Sequence, residues 1–516
     1  MSTCFYASNS ATGTKSFQQY CLNSANVLSV TPAPDILLAT KQSVDELTTD
    51  TDVMWILVTG ILVFWMQAGF AMLEAGSVRP KNTNNILFKN LMDASLGAIA
   101  FWLLGYSFAF GNNRPESDNP GRDNRFIGAG NWALQNYNND QEYHLFFFQW
   151  AFASAATTIV SGSVAERCRL EAYFLYSVVL TGFVYPVVVH WVWSPMGFLS
   201  AFYSDNDGNR YLSKNGMIDF AGSGVVHMVG GFAGLVGAIA LGPRMGFYGQ
   251  GEKAEATLKG SNELLCSLGV GILWMGWYGF NAGSTLAAGT GNAINLASKV
   301  AVTTTIAAAA SAISTMIYSR LVLQHYNLTL CLNGVLAGLV SITAPCSVVE
   351  PWASMMIGII GAMVFVGASR LLKKCQIDDP LDAFPVHGAC GVWGVLSVGI
   401  FATQSNISRA YGFDNNAVIT VNQFGNQVIG IICIICWVVV TMSILFFSLK
   451  FAGVLRISPK EEQLGLDVLE HGVPWRHNHA AVERRNKAER KGSSQQVGPR
   501  TPVKKASSRG YNVESA

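Results

Sequence analysis

Charged residues are scarce in this chain. Of its 516 residues only 13% are Asp, Glu, Lys or Arg, whereas 50% are hydrophobic. Soluble proteins carry roughly 25% charged residues, so this composition excludes a large soluble core and indicates a polytopic membrane protein. The net charge of +2 is uninformative by itself, and we expect no nucleic-acid partner.

The sequence also lacks the residue patterns of a metal or cofactor site. Its ten cysteines form no pairs with metal-like spacing except Cys433 and Cys436, which are three apart inside the last span and are interpreted as small packing residues. No nucleophile with an adjacent base is visible, which disfavours an enzyme. Cys4 and Cys21 would face the oxidising side of the membrane, so a disulfide within or between chains is conceivable, and the sequence does not choose between them.

A cleavable signal peptide is missing as well, because the polar first 50 residues have no basic segment followed by an apolar core. Apolar runs long enough to cross about 30 Å of hydrocarbon, roughly 20 residues each, occur eleven times, the eighth being short. They cover 53–77, 88–110, 144–165, 172–193, 219–241, 262–283, 293–319, 328–343, 351–372, 383–403 and 424–452.

The distribution of Lys and Arg predicts the orientation. The short odd-numbered loops hold more of these residues than the longer even-numbered loops, and basic loops face the cytoplasm. We therefore predict an extracellular N-terminus, a cytoplasmic C-terminus and a multi-pass protein of the plasma membrane. The predicted parts are an extracellular tail (1–52), an eleven-helix domain (53–452), a cytoplasmic segment (453–480) and a disordered basic tail (481–516).

A stretch reading DFAGSGVVHMVGGFAGLVG begins at Asp219 and contains His227. A titratable ring inside a membrane is costly and suggests a function. Five spans later His387 has the same neighbours, since each histidine is followed by glycines four and seven residues on. An aspartate precedes each histidine, Asp219 by eight residues and Asp382 by five. Repeats of five helices must be inverted, which predicts a site near the midplane between two half-domains.

Two imidazoles that meet in the centre can share a proton, because one ring nitrogen donates while the other accepts. Such a path suits a small hydrogen-bonding species better than a bare metal ion. A single histidine would be interpreted as a core residue, but the repeat argues for a pair that lines a pore. No third ligand is placed to complete a metal site, so neither a metal nor a cofactor is predicted.

Five motifs in order, SGSVAER, GFVYPVVVHWVWSP, DFAGSGVVH, WYGFNAGS and DAFPVHGACGVWG, make the chain resemble the ammonium transporters of the Amt/Mep/Rh superfamily, most nearly the eukaryotic Amt type. The resemblance covers about 50 to 475. It implies an all-α, eleven-helix fold with a five-plus-five inverted repeat, a homotrimer with one pore per subunit, and conduction of ammonium or its analogue methylammonium. Ammonium would cross as ammonia plus a proton or as ammonia alone.

The resemblance also implies roles for particular residues. The outer recruitment site would be Phe152, Trp193 and Ser284, and Phe152 with Phe280 would form the gate. The pore histidines would be His227 and His387, and Asp219 the carboxylate that supports conduction. A cytoplasmic regulatory segment that docks on the neighbouring subunit would contain Gly465, Asp467, His471 and Gly472.

Two further expectations concern modification. Many plant members carry a threonine between that aspartate and histidine whose phosphorylation closes the trimer, but Leu469 stands there in this chain, so this switch cannot operate at that position. Asn406 begins an Asn-Ile-Ser sequon in a predicted outer loop and is a candidate for glycosylation.

Three functions remain open at this level. An ammonium transporter is favoured, and an ammonium sensor with the same fold is the alternative. The sensor is disfavoured because the polar tail is too short for an added signalling domain. A membrane enzyme that uses the histidine pair is disfavoured by the missing ligands and nucleophile.

Overall fold

The computed structural model describes residues 3–9, 16–22, 34–111, 124–135, 143–202, 212, 215–247, 258–412 and 421–473. The predicted tail 481–516 lies outside the described residues. So does the end of the predicted segment 453–480.

The described chain is almost entirely helical. Fourteen helices are numbered here in chain order, with kinked helices counted once. They are α1 (Pro34–Ser77), α2 (Pro80–Phe110), α3 (Tyr143–Val164), α4 (Leu170–Trp193), α5 (Ser223–Leu241), α6 (Glu263–Gly283), α7 (Gly291–Leu323), α8 (Leu328–Thr343), α9 (Pro351–Lys374), α10 (Phe384–Phe401), α11 (Gln404–Tyr411), α12 (Asn422–Phe451), α13 (Pro459–Leu464) and α14 (Leu466–His471).

The predicted number of spans agrees with these helices. Within the described ranges, ten helices are long and apolar enough to cross a membrane, and α8 is a shorter apolar helix of 16 residues. The sequence predicted the eighth span as the short one, with the same bounds of 328–343. The chain is therefore an all-α, multi-pass membrane protein, as predicted.

The first helix is longer than the sequence analysis predicted. It begins at Pro34 rather than near residue 53, because polar helix-forming residues continue the helix beyond its apolar part. Outer and inner refer here to the orientation predicted from the sequence, with the N-terminus outside. The outer section of α1 is tied to the loop after α6, since Asp52 Oδ1 accepts hydrogen bonds from the backbone N–H groups of Ala288 and Gly289, both at 2.6 Å.

Two strands precede α1. The strands β1 (Thr3–Asn9) and β2 (Ser16–Leu22) pair in an antiparallel arrangement. In this register Cys4 is the backbone partner of Cys21. The two cysteines that the sequence analysis considered for a disulfide thus stand opposite each other within one chain.

The helices α5 and α10 cross in the centre of the molecule, each opening with a π-helical turn. Small residues allow this approach. A side chain at Gly231 would lie 2.2 Å from the backbone nitrogen of Gly388, and one at Gly391 would lie 2.6 Å from the carbonyl oxygen of Ser223. The glycines four residues after each histidine are therefore the points at which the two half-domains touch.

A buried ion cluster fixes the inner ends of several helices. Glu166 contacts Arg79 at 2.6 Å and Arg244 at 3.2 Å, and Arg244 also contacts Asp378 at 2.8 Å. Burial by itself would raise the pKa of Glu166, but the charges of Arg244 and Arg79 outweigh it and hold the pKa below the ordinary value. The motif SGSVAER thus joins α3 to the loops on the inner side.

The segment after α12 packs against the inner start of α2 of the same chain. Asp467 accepts hydrogen bonds from the backbone N–H groups of Asn84 at 3.1 Å and Asn85 at 2.9 Å. The His471 ring lies 5.2 Å from the ring of Phe88. Carboxylates are favoured at helix N-termini because the first N–H groups have no partner within the helix, which explains why Asp467 anchors the segment there.

Candidate functional site

An open cavity of about 390 Å³ lies at the outer side of the helix bundle. Aromatic rings form much of its wall. Its lining includes Phe152 from α3, Trp193 at the end of α4 and Ser284 directly after α6. The three residues that the resemblance implied for recruitment, far apart in sequence, therefore line one cavity.

One lining ring of this cavity, Phe152, stacks on a ring outside its wall, Phe280. Phe152 and Phe280 lie with centroids 4.0 Å apart at an angle of 21°, and the Trp193 ring stands edge-on to Phe152 at 5.9 Å. The Ser284 hydroxyl donates to the carbonyl oxygen of Phe280 at 2.7 Å. Its oxygen lone pairs therefore remain available as acceptors beside the ring faces.

A column of rings continues inward from this pair. The ring of His227 stacks on Trp277 at 5.1 Å and lies 5.5 Å from Phe280. The ring of His387 lies 5.2 Å from His227 on its other side, and Phe70 follows at 6.3 Å from His387. The two histidines predicted from the repeat are therefore neighbours in the centre of the molecule.

The histidine pair is joined through one nitrogen of each ring. Nδ1 of His227 and Nδ1 of His387 are 3.1 Å apart, so one donates and the other accepts. Both residues are buried, with 0% and 5% exposure. Nε2 of His227 has no hydrogen-bond partner among the described residues, which leaves a polar ring atom in an otherwise apolar column.

Asp219 lies four residues before α5, although the sequence analysis placed it inside that span. Its carboxylate accepts from the backbone N–H groups of Gly222 at 3.0 Å and of Gly224 and Val225 at 2.9 Å. Gly222 has a φ of +106°, the left-handed region that favours glycine. Asp219 therefore acts as an N-terminal cap for the helix that carries His227.

Asp219 also positions one of the cavity residues. Its backbone carbonyl oxygen accepts a hydrogen bond from Nε1 of Trp193 at 2.8 Å. All three side-chain hydrogen bonds of Asp219 go to backbone N–H groups, so its influence on the outer cavity is indirect. It fixes the helix start and the indole ring rather than contacting the cavity directly.

The inner counterpart of Asp219 is Asp379, not Asp382. Asp379 Oδ2 accepts from the backbone N–H of Phe384, the first residue of α10, at 2.7 Å. Asp382 instead accepts from the hydroxyl of Ser369 on α9 at 2.8 Å. The sequence analysis chose the nearer aspartate, but Asp379 has the eight-residue offset from His387 that Asp219 has from His227.

Trp277 is a further residue of the column that the sequence analysis did not single out. It is fully buried, stacks on His227, and donates from Nε1 to the Thr343 hydroxyl at 2.9 Å. It opens the motif WYGFNAGS, three residues before Phe280, so one helical turn separates the two rings. That spacing was the signal that could have identified it.

The Asn406 side chain does not fit the expected glycosylation site. It is 3% exposed, lies within α11, and donates from Nδ2 to Glu350 Oε1 at 2.7 Å. An amide nitrogen that is buried and bonded cannot carry a bulky surface sugar in this fold. The sequon alone carried no information about burial.

The remaining predicted residues lie in the segment after α12. Gly465 has a φ of +100° between α13 and α14, and a side chain there would meet Lys81. Asp467 and His471 contact the start of α2, while Gly472 ends α14 with a φ of +62°. These four residues form one compact unit at the inner surface.

A crossed pair of half-domains with a ring-lined column and two central histidines defines a polytopic membrane protein of the channel or transporter class. The Ammonium Transporter Family profile matches residues 54–474. The chain belongs to the ammonium transporter family.

Relatives with this description come from plants. Ammonium transporter 1 member 3 of Solanum lycopersicum is 42% identical over 82% of this chain and 93% of its own length. Ammonium transporter 1 member 1 of Arabidopsis thaliana is 45% identical over 78% of this chain and 80% of its own length. The chain is therefore similar to the Amt1 type.

Solved structures share the fold. A protein titled Sensor Amt Protein matches with a TM-score of 0.71 and 32% identity over 83% of this chain and 99% of its own. The crystal structure of Candida albicans Mep2 matches with a TM-score of 0.69 and 25% identity, covering 81% of this chain and 88% of Mep2.

Proposed function

We propose that this protein conducts ammonium across the plasma membrane through the ring-lined column, with His227 and His387 in the pore. The observation that carries the proposal is the continuous series from the outer cavity through the Phe152–Phe280 pair to the bonded imidazoles. The family supports ammonium as the substrate, and the geometry suggests how it crosses.

Recruitment takes place in the outer cavity. Cation–π attraction to Phe152 and Trp193 contributes roughly 0.5 to 2 kcal/mol, and the Ser284 oxygen accepts a hydrogen bond from the ion. Methylammonium presents the same positive N–H donors and is the natural analogue. The attraction concentrates the ion without trapping it.

Passage inward requires loss of charge. The Phe152–Phe280 pair closes the way inward from the cavity, so the rings must move apart before a molecule can pass. Beyond them the column holds no ion pair among the described residues, and an ammonium ion with its charge desolvated releases its proton more readily. Ammonia then crosses along the imidazoles, and Nε2 of His227 is free to bond with it.

Two routes remain for the proton, along the imidazole pair or back to the outside. The first gives an ammonium-dependent current and the second gives none. Two-electrode recording with ammonium, methylammonium and potassium in oocytes that display the protein distinguishes them. Potassium currents equal to ammonium currents would contradict selection by deprotonation.

Growth on low ammonium tests the function itself. Cells without their own ammonium transporters should grow once this protein reaches their surface. Surface expression without growth or methylammonium uptake would favour the alternative, an ammonium sensor. The plant relatives named as transporters are more similar to this chain than the structure titled as a sensor, which favours transport.

We also propose a homotrimer oriented with the N-terminus outside, in which the segment from Gly465 to Gly472 regulates the pore. Its anchor on α2 through Asp467 supports this role. Replacement of Asp467 by Ala should alter transport while pore selectivity stays the same, because the segment lies far from the column. Unchanged rates would contradict regulation from this position.

A further inference from the structure

A buried acid lies at the inner end of the pore. Glu74 on α1 is 2% exposed and lines a cavity of about 20 Å³ together with His387 and Phe70. A space of about 10–15 Å³ or more holds one water molecule, so this cavity accommodates one molecule of the size of ammonia. A molecule that has passed His387 therefore meets the Glu74 carboxyl group next.

Neighbouring helices hold this carboxyl group in place. Asn90 Nδ2 donates to Oε2 at 2.7 Å and the Ser161 hydroxyl donates to Oε2 at 2.8 Å. In the described part of the chain Oε1 makes no hydrogen bond, and no Lys, Arg or His nitrogen lies within 4 Å of the group. Two neutral donors orient Glu74, and its second oxygen remains available to a molecule in the cavity.

A second cavity of about 170 Å³ continues toward the inner surface. It is lined by Gly76 and Ser77, just after Glu74 on α1, and by Asp382. Leu381 lines both cavities, so one side chain separates them. Glu74 is thus located between the histidine pair and the inner exit.

We infer that Glu74 is a proton-exchanging group that converts ammonia back to ammonium at the inner end of the pore. The inference rests on the proposed function. The O–H bond at Oε1 breaks as the ammonia lone pair takes the proton, which leaves ammonium paired with the carboxylate. Ammonium then leaves past Leu381, and the carboxylate takes a proton from water on the inner side.

Other titratable groups face Glu74 from the helices around it. Lys89 and Asp93 on α2 act on it electrostatically, and His387 on α10 shares its cavity. Lys89 donates to the carbonyl oxygen of Cys168 at 3.1 Å, and Asp93 accepts from Tyr173 and Ser177. Both α2 groups therefore have partners of their own and do not line the small cavity.

The test compares Glu74→Gln with the intact protein. Initial rates of labelled methylammonium uptake are measured in proteoliposomes at several luminal pH values, with fixed outer pH and clamped membrane potential. In the intact protein the rate should fall as luminal pH rises, because the carboxylate regains its proton more slowly. Glu74→Gln should be slower by about tenfold and independent of luminal pH. This is below the roughly 100- to 10,000-fold contribution of general acids, because water can substitute for the carboxyl group.

Asp93→Asn is the matched control, since it removes a buried carboxyl group one helix away that lies outside the cavity. It should retain the luminal pH dependence, as should Glu74→Asp with a reduced rate. A folded Glu74→Gln protein with the intact rate and pH dependence, or an equal loss of pH dependence in Asp93→Asn, overturns the inference. Absence of any uptake by the intact protein would instead contradict the proposed function.

Discussion

In each half of the ring-lined column an aspartate precedes the histidine by eight residues, but the two aspartates are bonded differently. Asp219 accepts three backbone N–H groups and its carbonyl holds Trp193. Asp379 accepts from Phe384 through Oδ2, and its Oδ1 has no partner among the described residues. The outer helix start is thus held at more points than the inner one.

The side chains that line the cavities of the two halves also differ. Mostly aromatic faces and the Ser284 hydroxyl line the outer cavity. Mostly aliphatic side chains line the small inner cavity, together with Phe70, His387 and the Glu74 carboxyl group. Ring faces select cations by geometry and therefore need rigid placement. A proton-exchanging acid needs access to water instead. Under the proposed function, selection would therefore take place at the outer cavity and release at the inner one.

We expect the largest difference in methylammonium uptake between the variants Asp219→Ala and Asp379→Ala. The first leaves three buried N–H groups without partners, at about 1–3 kcal/mol each. The backbone carbonyl that accepts from Trp193 remains, but the helix start that positions it is no longer fixed. We expect methylammonium uptake to fall to background. The second leaves one N–H group unpaired, and uptake should fall by a smaller factor.

Uptake per molecule at the surface, together with thermal unfolding in detergent, measures both effects. Asp93→Asn serves as the control, because Asp93 accepts from Tyr173 and Ser177 rather than from a helix start and lines neither inner cavity. Equal losses in the Asp219 and Asp379 variants would show that the extra bonds of Asp219 do not matter.

Replacing His227 should reduce uptake more than replacing His387. His227 is fully buried between Trp277 and Phe280, whereas His387 is 5% exposed and has Phe70 at a longer distance. His227→Ala should lower ammonium uptake about tenfold, as expected for the loss of one hydrogen bond of about 1–1.5 kcal/mol, and His387→Ala should lower it less.

His190 provides the control for these variants. It is a buried histidine on α4 whose ring nitrogens lie 2.8 and 2.9 Å from the carbonyl oxygens of Ala109 and Asn124. His190→Gln should lower stability without lowering ammonium uptake per folded molecule. A loss of uptake as large as that of His227→Ala would contradict a special role of the central pair.

The sequence was informative about the fold because membrane spans obey a strong length constraint. Even α8 was predicted with its observed bounds. The start of α5 was less predictable, because the three residues before it, Phe-Ala-Gly, recur inside the helix at 232–234 and so mark no boundary. The positive φ of Gly222, which ends the non-helical part, has no signature that distinguishes it from the other glycines nearby.

The candidate site likewise has features that the sequence predicted and features that it did not. Repeated glycine offsets predicted that His227 and His387 belong together, and the structure places them 3.1 Å apart. The roles of Asp379 and Glu74 could not be predicted from local pattern. Each depends on which helix start or cavity the side chain meets, and long-range packing decides that. Burial of Asn406 was unpredictable for the same reason.

Trp193→Leu should weaken recruitment at the outer half alone. Loss of roughly 0.5–2 kcal/mol of cation–π attraction corresponds to an increase of about 2- to 30-fold in the KM for ammonium. The rate at saturation should change less, since the Phe152–Phe280 pair and the histidines remain. Phe70→Leu is the inner counterpart, and a similar KM increase in that variant would contradict selection at the outer cavity.

Ser284→Ala should have the smallest effect of the series. The hydroxyl proton is already bonded to the carbonyl oxygen of Phe280, so the variant loses an acceptor oxygen and a local helix-end bond. A hydrogen bond to a charged group contributes about 1.5–3 kcal/mol when buried, but water in this open cavity can replace it. We therefore expect a KM increase below that of Trp193→Leu, measured in the same assay. A larger increase would mean that the oxygen, rather than the ring faces, selects the ion.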